Sequence, residues 1–395
     1  MGRRKSLVSG QDAVQASSGH LQSPENESTA VEGAKFSYCA LTQVPERQLP
    51  ANLDPVRHSL IRMNEMKWAN GTVLHYYFFN RQTDGESVLL RDGSSRWVPW
   101  FTKEAEKQIV REAFRRWKEV GIGLEFEEVD SPEKAEIRIG FMRGNGSWSY
   151  IGRDVLEYGP KSRTMNFGWD LTADAAFLDT AIHEIGHTLG FPHEHQNPKA
   201  GIVWNEDAVY AYLAGPPNWW SQEEAHFNVI RKLEPSSVQG SAWDPDSIMH
   251  YPFKPGLIKS PKGYCKTGLF PAGGISEQDK ATVRSLYPPV SQQPVAQLRP
   301  HQSESLGVSP GEQKNFAFSV SETREYELQT YGRMDAVMVL FDETAGKFEF
   351  LSGDDDSGAE RNASLRVRLT EGRRYVLAVR MIYEEHPGQA SVMLR

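Results

Sequence analysis

Cysteine is nearly absent: the 395 residues contain two, Cys39 and Cys265. A scaffold stapled by several disulfides is thereby excluded, and a chain of this size can bury enough apolar surface to fold without them. Long apolar runs are missing as well. No stretch of 18 apolar residues occurs, so no membrane span is expected. Arg3, Arg4 and Lys5 resemble the start of an export signal, but no apolar stretch follows them and no secretory signal peptide is expected. Blocks of like charge are lacking too: the net charge is −8, spread along the chain, which argues against a nucleic-acid partner. Large apolar residues are scarce in the first thirty-odd positions, where Ser, Gln, Glu and Gly prevail. Residues 1–65 are therefore expected to form a disordered, pro-like segment.

Histidine is also scarce, with 11 in the chain, yet three fall in the run His183-Glu184-Ile185-Gly186-His187-Thr188-Leu189-Gly190-Phe191-Pro192-His193-Glu194. Composition gives this pattern a chance occurrence below about one in ten thousand per chain, so coincidence is not the explanation. On an α-helix, residues four apart share a face, and His183 and His187 can present two imidazole nitrogens to one Zn2+ ion. A third ligand has to return toward that face, so the helix must stop. Gly190 supplies the residue that tolerates a left-handed turn, after which His193 completes a three-histidine shell. Glu184 follows the first ligand directly. Its carboxylate is expected beside the open fourth position, placed to polarise a water and take its proton.

Downstream, Ser247-Ile248-Met249-His250-Tyr251 matches the Met-turn that accompanies the long zinc motif. Together with Glu194 after the third histidine, this wording resembles the astacin family of metzincin zinc metallopeptidases. The resemblance covers residues 66–288. It implies an α+β catalytic domain: a twisted mixed sheet, long helices, zinc in the cleft and the Met-turn beneath. It further implies that Met249 forms an apolar floor under the zinc, and that Tyr251 hydrogen-bonds the oxyanion of the tetrahedral intermediate. Arg163, Thr164, Met165, Asn166 and Phe167 would be the edge strand, whose free backbone groups bind an extended substrate by strand addition. Because the family's pro-segments often place an acid or a thiol on the zinc, Cys39 is a candidate latency ligand. The family's paired disulfides are missing, and His195-Gln196-Asn197-Pro198 replaces its usual arginine and aspartate, so the chain is a divergent astacin-like one. Secretion follows from the resemblance alone.

Local patterns agree with that outline. Ile109, Val110, Ala113, Phe114 and Trp117 recur at helical spacing behind Thr102 as cap. Ile137, Ile139 and Phe141 alternate as in a half-buried strand. Ser276-Glu277-Gln278-Asp279 has the wording of a capping box and opens a helix to Tyr287. Residues 289–299, rich in Pro and Gln, read as a linker. Residues 300–395 read as an accessory β-sandwich, from alternation in Phe316–Val320, Tyr326–Leu328, Val337–Phe341, Leu365–Leu369 and Tyr375–Val379. Its order of turn residues resembles the bacterial pre-peptidase C-terminal domain. Asp354, Asp355 and Asp356 are a candidate Ca2+ site or a solvated turn. The expected function is a zinc metalloendopeptidase acting on a protein or peptide substrate. The alternative is a catalytically silent zinc-binding protein serving adhesion or matrix binding.

Overall fold

The computed structural model describes residues 37–41, 44, 64, 66–90, 93–234, 242–290, 294–343, 348–355, 357–384 and 388–395. Residues 1–36 and nearly all of 45–65, expected as a disordered pro-like segment, lie outside the described residues. The chain from Val73 to Asn166 builds β1 (Val73–Phe78), the hairpin β2 (Gly85–Leu89) and β3 (Ser95–Pro99), helix α1 (Glu104–Glu119), β4 (Glu125–Glu128), β5 (Ile137–Gly140), β6 (Trp148–Ser149) and β7 (Met165–Asn166). Five of these strands form one mixed sheet in the order β4-β1-β5-β7-β6, parallel except for the last pair.

Helix α1 forms where the 3.6-residue spacing of Val110, Ala113, Phe114 and Trp117 gives one buried face. The hydroxyl of Thr102 does not cap it but donates to the buried Glu106 carboxylate, and Lys103 occupies the cap position without a side-chain bond to the helix N-terminus. Helix α2 (Phe177–Thr188) carries the histidine motif and lies against α1, where the indole N–H of Trp117 donates to Ile182 O at 2.9 Å. Below it come β8 (Val203–Trp204), β9 (Ile258–Ser260) and α3 (Glu277–Leu286). Helix α3 opens with the expected capping box, Ser276 Oγ accepting from Asp279 N at 2.9 Å and Asp279 Oδ2 accepting from Ser276 N at 3.1 Å.

The last elements are β10 (Val295–Gln297), β11 (Ser303–Ser305), β12 (Gln313–Ser319), β13 (Arg324–Tyr331), β14 (Met334–Asp342), β15 (Glu349–Asp354), β16 (Ser364–Leu369), β17 (Arg374–Glu384) and β18 (Ser391–Leu394). They form two sheets, β10-β12-β17-β14-β15 and β11-β18-β13-β16, packed around Phe316, Leu328, Met338, Leu340, Leu377 and Val379. The sandwich begins at Val295, within the stretch expected to be linker, because β10 pairs in parallel with β12. All nine residues of β14 are buried, so alternation fails there. One face points into the sandwich, whereas Val337, Val339 and Phe341 cluster with Ala69 of the catalytic half.

Backbone recognition joins the two halves. The Gln313 side chain accepts from Asn70 N at 2.7 Å and donates to Asn70 O at 3.1 Å, and the Arg380 guanidinium donates to Trp68 O. Gly71, at φ 95°, lies under the Phe341 ring, whose Cζ would be 2.5 Å from a Cβ. Arg153 pairs with Asp355. Asp354 Oδ2 accepts from Ser357 N, Ser357 Oγ and Ser364 N at 2.8–3.2 Å. Two aspartates of the expected calcium run are thus engaged with protein donors and cations; Asp356 lies outside the described residues. Calcium has no support here.

Buried at the same junction, Lys67 Nζ has no hydrogen-bond partner, and burial together with Arg380 pulls its pKa from 10.5 down to about 7. The unfolded chain therefore binds this proton more strongly than the folded one, and stability contributed by this group rises as pH increases from about 7 toward 10.5. Lys67→Met is expected to raise stability at pH 7 by on the order of 1–3 kcal/mol, with the gap to the parent chain narrowing at pH 9. Calorimetric Tm values for both proteins at the two pH values check it. An unchanged or lowered Tm at pH 7 would contradict this.

Candidate active site

Three histidines and a cysteine meet at the end of α2. One ligand atom from each of Cys39, His183, His187 and His193 lies within 4.8 Å of all the others, and all four residues are buried. The end of α2 is what allows this. Its C-terminal carbonyls lack helical partners. Trp68 Nε1 donates to Thr188 O at 2.8 Å and the Tyr287 hydroxyl to Leu189 O at 2.8 Å. Gly190 then takes φ 97° and turns the chain back, so that His193 arrives beside His187.

Backbone carbonyls orient the rings. His183 Nδ1 is 2.7 Å from Ile248 O, and His187 Nδ1 is 2.7 Å from Phe191 O. Each carbonyl accepts the Nδ1 proton, leaving both Nε2 lone pairs directed inward. His183 Nε2 is buried without a partner, as is His193 Nδ1. His187 Nε2 and His193 Nε2 stand 3.1 Å apart, and Cys39 Sγ is 3.5 Å from His187 Nε2. Ligands of one tetrahedral zinc ion would be about 3.3 Å (N to N) and about 3.6 Å (N to S) apart, given ordinary zinc bond lengths. The donor set fits zinc in chemistry and in spacing.

Burial governs the electrostatics. It lowers His183 to about 4, holds His187 and His193 well below the ordinary imidazole value, and lifts Glu184 to about 8. The Cys39 thiol is pushed well up by burial and by Glu184. It donates to Glu184 Oε2 at 3.4 Å, while Glu184 Oε1 is buried without a partner. A divalent cation at the centre inverts this preference for the thiol, because it stabilises the thiolate directly.

The Met-turn lies beneath. Its backbone is held by α3: Asp279 accepts from Ser247 Oγ at 2.7 Å and from Ile248 N at 2.8 Å. Glu194 N donates to Met249 O at 3.0 Å, tying the turn to the third histidine. Glu194 Oε1 accepts from Asn197 Nδ2 and Asp244 N at 3.0 and 3.1 Å. Tyr251 is fully buried, its ring centroid 4.3 Å from that of His193, and its hydroxyl donates to Cys39 O.

The segment bearing Cys39 is fastened on both sides. Tyr38 N donates to Asn218 Oδ1 at 2.9 Å, the Tyr38 hydroxyl to Pro252 O at 2.7 Å, and Leu41 N to Asn228 Oδ1 at 2.9 Å. The Tyr38 ring packs on Tyr251 at a centroid distance of 4.9 Å. The segment that replaces the family's usual arginine and aspartate serves this clamp. His195 Nε2 is 2.8 Å from Asn228 O, and Gln196 Nε2 donates to Phe227 O at 2.7 Å.

One expectation changes. Residues 163–167 were expected at the sheet edge, but β7 sits inside the sheet, parallel to β5 and antiparallel to β6. Thr164 N donates to Arg138 O, Phe167 N to Gly140 O, and Thr164 O accepts from Tyr150 N. Those groups cannot receive a peptide. The edge is β6, Trp148–Ser149, and the Ser149 backbone faces the Cys39 thiol, opposing the rise in its pKa. Arg163 is instead buried between Trp100 and Trp148, 4.8 and 5.4 Å from their ring centroids. The two-residue length of β6 leaves no periodicity to detect. Asn218, Asn228 and Asp179 also escaped the sequence reading, although Asp179 is one helical turn before His183 and could have been found by spacing.

A three-histidine centre on a helix and its return turn, floored by a Met-turn and opening along a sheet edge, defines a metzincin-type zinc metallopeptidase domain. Residues 94–256 match the model of the Astacin peptidase family. Protein SpAN of Strongylocentrotus purpuratus is 29% identical over 171 residues, 40% of this chain and 24% of SpAN. Bone morphogenetic protein 1 of Xenopus laevis is 30% identical over 195 residues, 46% of this chain and 24% of that protein. The solved structure of myroilysin is 30% identical, covering 56% of this chain and 96% of myroilysin, with a TM-score of 0.47. The catalytic region belongs to the astacin family of metzincins, while the chain spans about a quarter of the length of these two curated relatives.

Gly186 tests the packing of the site. A Cβ there would lie 2.4 Å from Met249 Sδ. Helix propensity alone makes Gly→Ala stabilising by about 1 kcal/mol. In this site Gly186→Ala is expected to destabilise by about 1–3 kcal/mol, read as a lower Tm. A raised Tm would show that Met249 does not occupy that space.

Proposed function

We propose that the chain is a zinc-dependent endopeptidase that Cys39 holds latent. The observation that carries this reading is the meeting of the Cys39 sulfur with three convergent imidazoles in one buried cluster. His183, His187 and His193 would hold the zinc, and Cys39 would fill the fourth position in the latent chain. When bound, zinc supplies a Lewis acid that polarises a carbonyl and acidifies a water.

The remaining steps belong to the protein. Displacement of Cys39 frees Glu184 Oε2 and the Tyr251 hydroxyl, the two groups that its thiol and carbonyl engage. Glu184 then takes a proton from the attacking water and passes it to the departing amine. Burial suits it to this: a carboxyl lifted toward neutrality both accepts and returns a proton readily. Tyr251 donates to the developing oxyanion, and Met249 fills space below the imidazoles. An extended peptide pairs with β6, the free edge, beside the cluster. The sandwich, which resembles the bacterial pre-peptidase C-terminal domain in its turn residues, holds the opening segment Trp68–Gly71 of the catalytic region in place.

Full-length, zinc-loaded protein is incubated with denatured protein substrate. Cys39→Ser is expected to raise cleavage, and Glu184→Ala in that background to lower it by at least about 10²-fold. A chelator should abolish cleavage and added zinc restore it. Equal activity of the parent and Cys39→Ser proteins would remove the latency assignment, and no cleavage by either would favour the silent zinc-binding reading.

A further inference from the structure

Next to the cluster is a cavity of about 320 Å³, lined by His183, Glu184 and Tyr251 on the zinc side and by Trp169, Ile248, Pro252 and Phe270 elsewhere. Tyr38 and Cys39 contribute to its wall as well. A substrate that displaces Cys39 thus meets this cavity with the side chain adjoining its scissile bond. Most of the wall is apolar, but Asp179 lines it too. Asp179 precedes His183 by four residues on α2, so both side chains lie on one face of the helix.

The carboxylate is built into the wall. Asp179 Oδ2 accepts from Gly274 N at 3.2 Å, and a Cβ at Gly273 would lie 2.7 Å from the same oxygen. Gly273, at φ 86°, leaves the room that the carboxylate occupies. That single bond uses one oxygen. No ion pair to Asp179 occurs among the described residues, although Lys and Arg pair with carboxylates throughout the same domain. A first-turn acid that only favoured the helix dipole would sit as well in solvent. Here burial penalises the charge and raises its pKa, with the Gly274 hydrogen bond opposing.

We propose that Asp179 makes this cavity a specificity pocket for a basic side chain, so that the enzyme cleaves next to lysine or arginine. The apolar wall covers the aliphatic stem of such a residue and the carboxylate meets its charged tip. An acidic residue at the same place is repelled and leaves Asp179 without a counter-ion. This rests on the peptidase reading of the site.

The test uses full-length, zinc-loaded protein carrying Cys39→Ala, with and without Asp179→Asn, on a peptide mixture whose cleavage sites are mapped by mass spectrometry. Asparagine keeps an acceptor for Gly274 N and removes the charge. The expected result is an enrichment of about tenfold for Lys or Arg at one position flanking the cut, falling to within about twofold in Asp179→Asn. Acetylating the lysine of the best peptide should lose the same factor without any variant. A parallel arm measures binding of the lysine peptide and its glutamate counterpart to Cys39→Ala/Glu184→Ala by fluorescence anisotropy. That arm decides the pocket's preference even if no peptide is cleaved, an outcome that would count against the peptidase reading alone. Basic residues not enriched, or a preference that survives both Asp179→Asn and acetylation, overturns the proposal.

Discussion

The costliest feature of this protein is the convergence of three imidazoles, one thiol and one carboxyl in a dry pocket. Five titratable groups, His183, His187, His193, Cys39 and Glu184, are removed from water. Buried polar groups without partners destabilise a fold, and His183 Nε2, His193 Nδ1 and Glu184 Oε1 are all left in that condition. A bound divalent cation would take the inward imidazole lone pairs, that of His183 Nε2 among them, and would hold the thiolate. The surrounding structure can be understood as what keeps these groups aimed at one point until that happens.

Four devices do so. Carbonyls of Ile248 and Phe191 fix the tautomers of His183 and His187. Trp68 and Tyr287 satisfy the carbonyls that the end of α2 exposes, so that Gly190 can reverse the chain and deliver His193. Asp279, positioned by its own capping box, holds the Met-turn under the rings. Asn218 and Asn228 hold the residues flanking Cys39. The C-terminal sandwich enters the same scheme indirectly. Arg380 and Gln313 grip the backbone of Trp68 and Asn70, and Trp68 in turn caps the histidine-bearing helix.

What could be read from the chain divides along the range of the interaction. The histidine motif, the Gly190 turn and the Ser276 capping box are local, and their spacing alone specifies their geometry. Cys39 could be nominated from chemistry, but its place could not, because its neighbours at Asn218, Asn228 and His187 are separated from it by about 150 residues or more. The substrate edge was assigned to Arg163–Phe167 from the resemblance to the astacin family, with no pairing information behind it. The outermost strand on that side, Trp148–Ser149, is too short to carry a pattern, and pairing rather than propensity decides which strand is outermost. In the sandwich, β14 and β17 are buried on both faces by the catalytic half, which erases the alternation that marks a two-layer domain.

Latency as proposed depends on one contact, the Cys39 sulfur against three convergent imidazoles. Zinc K-edge X-ray absorption on the full-length, zinc-loaded protein measures it directly. One sulfur at about 2.3 Å together with three nitrogens at about 2.0–2.1 Å is the expected shell. A shell of nitrogen and oxygen alone, unchanged by Cys39→Ser, would contradict it.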